Sequence, residues 1–278
     1  MGQVITFLAA ALFVFAPFNP QEKYKWLGKD EKIQEKDTVS GRHKPPKDFE
    51  RAATEKNSFE EWLRAIPLRP DGAKVKLFNG KEKEDQDSHA SVLSIDTGTR
   101  DLQQCADSAI RLRAEFLYSA KENGKIAFKF TNGEPAKYTE WKKGFRPEFQ
   151  GNKTKWVKKA NEDNSYNSFR KYLDIVFAYA GTASLCKEMQ SIAISDMKAG
   201  DIFIEGGSPG HAVIIMDVIL NKKNGSKKIM LAQGFMPAQD IHILKNPKDG
   251  TVWYDQNFGV ELLTPHWKFK PKHLMRFK

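Results

Sequence analysis

The 278-residue chain carries two thiols, Cys105 and Cys186, and six histidines. Cys105 lies in RDLQQCADSAIRLRAEFLYSAKENG, where Cys105, Ala109, Leu112 and Phe116 recur at offsets of four, seven and eleven, the period of a helix face. A cysteine near a helix start meets free backbone N–H groups and the positive end of the helix dipole, and both favour the thiolate. It becomes an effective nucleophile if a base also reaches it. The same spacing suits a small buried apolar residue equally well. His211 heads the second apolar run of GDIFIEGGSPGHAVIIMDV, directly after a Pro-Gly loop. A histidine at a strand edge beside a turn faces a cleft while the strand behind it stays rigid; the plainer reading is a polar strand end. Gln233, in IMLAQGF, falls on the strand expected to pair with that of His211. Its amide can take the proton of the second ring nitrogen and fix the imidazole, the third role in a Cys-His-polar arrangement; a solvent-facing glutamine is the alternative.

Further candidates gather around these three. Gln104 stands beside Cys105 as an oxyanion donor, with the Cys105 N–H as the other. His89, before ASVLSID, is placed to face the same cleft, and Asp240 and His242 of QDIHIL put more polar groups near the same sheet. Asp107 is expected to pair with Arg111 at i+4. Cys186, after GTASL, has no base candidate nearby and reads as structural. Two cysteines alone build no metal site, so neither a metal nor a cofactor is expected.

The elements that must hold these residues follow from pattern. SFEEWLRAIPLRP opens on a capping box, Ser58 with Glu61, and its helix should end before Pro67. AKVKLFNG, HASVLSIDTG and KIAFKF read as strands, residues 131–164 as loop-rich, and SFRKYLDIVFAYAG as a second helix. Strands around 201–205 and 211–219 follow. The lysine-rich turn NKKNGSKK then leads to IMLAQGF, with DIHIL, VWYD and HLMRF as short additions. Helix and strand first and antiparallel strands afterwards make an α+β class rather than alternating βαβ.

Composition narrows the setting. Nineteen Phe, seven Tyr and six Trp exclude a disordered chain. The net charge of +10 favours anionic partners, yet no stretch interleaves basic and aromatic residues as an RNA-binding motif does, so nucleic acid is not expected. MGQVITFLAAALFVFAPFNP has an apolar core from Val4 to Ala16, the length of a signal-peptide core rather than of a bilayer span. Residues 1–19 are therefore expected to direct export to the periplasm or cell envelope, as a cleaved leader or, uncleaved, as a membrane anchor. Residues 20–57 read as a polar arm or tether and 58–278 as one domain.

The order of a helix-start cysteine, then a Gly-Asp strand, a loop and a Gly-His strand, then a polar residue on the next strand, resembles the papain-like superfamily, in particular NlpC-type cell-wall peptidases and CHAP amidases. The matching positions are Cys105, Gly200-Asp201, His211 and Gln233. DLQQCADSAIRLRAEFLY, YAGTASL, PGHAVIIMDV and LAQGFMPAQDIHIL resemble, over residues 58–278, a bacterial family termed domain of unknown function 4846, which implies no activity. The remoter likeness implies a papain-like fold whose Cys-bearing helix packs on an antiparallel sheet, here with a helical insertion between Cys105 and His211. It also implies a thiol amidase or endopeptidase acting on peptidoglycan peptides or another anionic envelope polymer. Gln-Gln-Cys-Ala-Asp departs from the usual Asp-Cys-Ser-Gly setting, which leaves the oxyanion site open. The alternatives are an inactive envelope-binding module, with Trp141, Trp156 and Trp253 lining a groove, and a thioester-forming acyltransferase using the same dyad.

Overall fold

The computed structural model describes residues 20–28 and 31–278, so the expected leader at 1–19 lies outside the described residues. A nine-stranded sheet is formed by β1 (Phe49–Arg51), β2 (His89–Val92), β3 (Gln190–Ser191), β4 (Ile202–Glu205), β5 (His211–Asn221), β6 (Lys227–Gln233), β7 (His242–Leu244), β8 (Trp253–Asp255) and β9 (Leu274–Arg276). Its order is β2-β7-β6-β5-β4-β9-β3, every pairing is antiparallel, and β1 and β8 add to β5 and β6. The class is the mixed α+β expected.

β5 lies at the centre of the sheet. HAVIIMDVI is buried throughout because both faces of the strand are covered, which is why the run does not alternate. Ile202, Ile204, Ala212, Ile214, Met216, Met230 and Ala232 point to one face. There they meet α1 (Phe59–Arg64) and α2 (Cys105–Ser119), with α3 (Tyr166–Tyr179) in the same core. Phe203, Val213, Ile215, Ile229 and Leu231 point to the other, under Leu262, Trp267 and Phe269 of the last segment. The one charge within the run, Asp217, is fully buried and held by Arg51 Nε at 2.8 Å and Arg64 Nε at 2.5 Å.

The described residues of the expected arm, 20–28 and 31–57, lie against this core. Tyr24 and Val39 are fully buried and β1 pairs with the far end of β5. At α1, Ser58 Oγ accepts from Glu61 N–H at 3.2 Å as the capping pattern requires, but the Glu61 carboxylate accepts from Asn57 N–H rather than Ser58. AKVKLFNG is not a strand. Its backbone makes only isolated bridges, Lys76 with Glu82 and Leu77 with Gln239, while the Gln86 amide bonds both Val75 N–H and Val75 O at 3.0 Å. The insertion between α2 and β3 carries α3, α4 (Thr182–Glu188) and a hairpin, 145–150 with 153–158, where loop was expected. It joins the same core, with Tyr118 of α2 stacked on Phe169 of α3, ring centroids 4.4 Å apart, and Leu185 of α4 buried with them.

Close approach of α2 to the sheet depends on Gly234. A Cβ there would stand 2.1 Å from Ser108 Oγ and 3.1 Å from Gln104 O. Gly234→Ala is expected to destabilise by about 1–3 kcal/mol, the usual cost of overpacking. Adding Ser108→Ala, which removes the oxygen in the way, should restore a large part in urea denaturation; equal midpoints for wild type and Gly234→Ala would refute the contact.

Candidate active site

Cys105 is the first residue of α2, and Gln104 is its N-cap. Asp101, expected near the helix start, precedes the helix. Its carboxylate accepts from Ala238 N–H at 2.7 Å and from Gln104 Nε2 at 3.1 Å, joining the helix entry to the loop after β6. The Gln104 side chain is thereby turned to Asp101. The ladder between β5 and β6 stops at the Ile214–Ala232 pair, and the start of α2 enters where the strands part. The Ala212 and Ala106 N–H groups lie near the Cys105 sulfur there and favour its thiolate. Burial pushes the thiol above its ordinary range and these N–H groups pull it back only in part, while Asp107 adds to the rise. Cys105 and Cys186 are both free thiols; Cys186 lies against Gly206 on α4.

His211 follows Gly210, which admits no side chain: a Cβ would meet Thr182 Oγ1 at 2.5 Å and the Glu205 and Gly207 carbonyls at 2.7 Å. The imidazole is almost fully buried among Phe235, Trp267 and Phe269, with centroids 5.0, 5.6 and 5.9 Å away. Its Nε2 lies 2.8 Å from Gln233 Oε1. Burial lowers its pKa to about 4, the Gln233 bond opposing and His266 adding to the fall. No hydrogen bond joins His211 to Cys105 among the described residues. The thiol lies near the backbone of Ala212, whose side chain faces the helices, while the ring lies among residues of the opposite face.

Gln233 collects three of the six histidines. Its Nε2 lies 3.0 Å from His266 Nδ1 and 3.4 Å from His242 Nε2. His242 is fully buried, with Nδ1 2.9 Å from Asp240 O; burial lowers its pKa to about 3. His266 Nε2 stands 2.9 Å from Asp85 Oδ2, with Lys83 Nζ 3.3 Å away. Among the described residues no group of three or more His, Cys, Asp or Glu side chains is placed to hold a metal ion.

The other sequence candidates are placed apart from Cys105. His89 stacks edge-on against His242 at 6.0 Å and turns Nε2 to Ala73 O at 3.1 Å. The Asp240 carboxylate is held by Arg69 at 2.6 and 2.8 Å and accepts from Lys76 N–H. Asp201 accepts two bonds from Arg276, at 2.6 and 2.8 Å, and one from Lys198 N–H, so the Gly-Asp pair anchors β9. Asp107 does not meet Arg111. Its Oδ2 accepts from Gln104 N–H at 3.1 Å and its Oδ1 has no partner. Trp141 and Trp253 are buried in the core, and Trp156 is half-buried and stacked on Phe130. His266, Asp85 and Lys83 escaped sequence reading because LTPHWKF and KEKEDQDS carry turn and charge signals but no periodic run.

Together the fold and site define a mixed α+β domain, largely antiparallel, with a helix-start cysteine beside a buried His-Gln pair. The chain belongs to the family described as domain of unknown function (4846), whose profile matches residues 39–276. No curated protein and no solved structure matches it.

Proposed function

We propose that this chain is an exported thiol hydrolase with a papain-like arrangement, cleaving amide bonds in cell-wall peptides. The observation supporting this reading is the junction at the start of β5. The sulfur of a helix-start cysteine lies near the N–H of Ala212, and the preceding residue is an imidazole held by a buried amide. In the reaction the His211 ring, brought from the Phe269 face to the Cys105 side of β5, takes the Cys105 proton as sulfur attacks the carbonyl, and the imidazolium returns it to the leaving amine. Water, deprotonated by the same ring, then hydrolyses the thioester and frees the thiol. The Cys105 N–H, at the first helical position, has no intrahelical acceptor and is the nearest backbone donor for the oxyanion. The +10 charge suits an anionic wall polymer.

Purified peptidoglycan incubated with wild type, Cys105→Ser and His211→Ala provides the test. Loss of the base is expected to lower peptide release by about 10²–10⁴-fold, and loss of the thiol by at least as much. Equal release by all three proteins would refute the mechanism. The pH profile has a definite sign. With the thiol raised and the imidazole lowered to about 4, the resting pair is neutral rather than an ion pair. Alkylation of Cys105 by iodoacetamide should therefore climb steadily above pH 8, with no reactive plateau between pH 4 and 7; such a plateau would reveal a thiolate–imidazolium pair.

A second reading, an inactive envelope-binding module on the same fold, is favoured by the missing Cys105–His211 hydrogen bond. So is the location of a cavity of about 480 Å³ at the other end of β5, beside Arg64, Lys198 and Val218. Unchanged binding to peptidoglycan with no release by wild type would select it.

A further inference from the structure

We infer that His242 and His266 are positioning residues: they clamp the Gln233 amide in one orientation and thereby dictate which nitrogen of His211 carries the proton. The inference deepens the proposed function and rests on it only in the use made of His211. The tautomers follow from the contacts themselves.

An amide has one accepting end and one donating end, and a neutral imidazole has one of each. The fixed points are a backbone carbonyl, Asp240 O, 2.9 Å from His242 Nδ1, and a carboxylate, Asp85 Oδ2, 2.9 Å from His266 Nε2. Both can only accept, so His242 carries its proton on Nδ1 and His266 on Nε2. The free nitrogens, His242 Nε2 and His266 Nδ1, are then acceptors, and both face the same end of Gln233 at 3.4 and 3.0 Å. That end must be the NH₂, whose two protons match the two acceptors. The oxygen is left facing His211 Nε2 at 2.8 Å, so His211 donates from Nε2 and holds a bare lone pair on Nδ1.

The reversed amide fails at both fixed points. With oxygen toward His242 and His266, each ring would have to donate to it and present a lone pair to Asp240 O and Asp85 Oδ2 at 2.9 Å. Double protonation would rescue His242, but burial opposes charge there. Lys83 does not overturn the assignment at His266, because its ammonium also finds Asp85 at 3.4 Å and Ser88 at 3.3 Å. A lone glutamine rotates its amide at little cost; two histidines on two segments, each fixed by an acceptor of its own, remove that freedom.

The test is histidine ring ¹⁵N spectroscopy on the full chain at pH 7. Wild type is expected to show His211 and His266 protonated on Nε2 and His242 on Nδ1. Finding His211 on Nδ1, or His242 on Nε2, overturns the inference without any variant. In His242→Phe and, separately, His266→Asn, each confirmed folded by circular dichroism, a second signal set from the Nδ1–H form of His211 is expected. A single Nε2–H form in both would show that the clamp is idle. If wild type and Cys105→Ser release peptide equally while the tautomers stand as assigned, the hydrolase reading fails and the clamp survives.

Discussion

Arg111→Met is expected to lower stability by about 3–5 kcal/mol, the cost of leaving one member of a buried ion pair uncompensated. The guanidinium is wholly buried inside α2. Its Nε bonds Glu115 Oε1 at 2.7 Å, Nη1 bonds Gln103 Oε1 at 2.8 Å and Asp96 O at 3.0 Å, and Nη2 bonds Asp96 Oδ2 at 3.0 Å. Glu115 is itself buried, and its Oε2 has no partner. With arginine gone, only Tyr166 OH, at 2.7 Å, remains on that carboxylate. The double change Arg111→Met with Glu115→Leu removes the orphan as well and should recover most of the loss. Urea titration of the three proteins decides it: a single variant within 1 kcal/mol of wild type, as a margin, would mean that the pair is not needed.

The second large effect belongs to Asp107, two residues beyond the thiol. Burial raises its carboxyl to about 8, and the Gln104 N–H compensates only in part. Between the ordinary value of 3.8 and 8 the folded state therefore holds a proton that the unfolded chain has released. Stability from this group is complete below pH 4 and is lost as pH rises toward 8, by about 1.4 kcal/mol per unit, or about 4 kcal/mol between pH 4 and 7. Asp107→Asn keeps an acceptor for Gln104 N–H and has no proton to lose. The variant should match wild type near pH 4 and exceed it increasingly up to pH 8 in thermal denaturation. A constant difference across that range would show the carboxylate ionised in the fold.

The sequence exposed the strands that fill the core and hid the polar contacts made at a distance. His211–Asn221 was readable because an unbroken apolar run between a Pro-Gly loop and a lysine-rich turn has few other fates. The α2 face and its cysteine were readable from helical period, although the entry at Cys105 rather than near Asp101 was not. What moved it is the bond from Ala238 N–H to Asp101, a contact 137 residues away. Of the candidate site, the His211–Gln233 pair was legible from strand adjacency. His266 was not, since nothing local marks a histidine in an irregular segment whose partners are at 85 and 233. Residues 73–80 misled for a related reason: an apolar alternation was present, but its backbone bonds are divided among the Gln86 amide, the 81–83 segment and the 238–240 segment, so no continuous ladder forms.

The sheet order also sets a timetable for folding. β9, residues 274–276, lies between β4 and β3, and β1, residues 49–51, lies along β5. A nascent chain still lacking Arg276 leaves the Asp201 carboxylate without its guanidinium, directly ahead of β4. Sheet closure must therefore wait until residue 276 has cleared the ribosome. Such distant pairings are formed slowly and expose apolar edges meanwhile. A chain of this topology completes its central sheet only after its last strand is made, so the His211–Gln233 pair is enclosed late in folding.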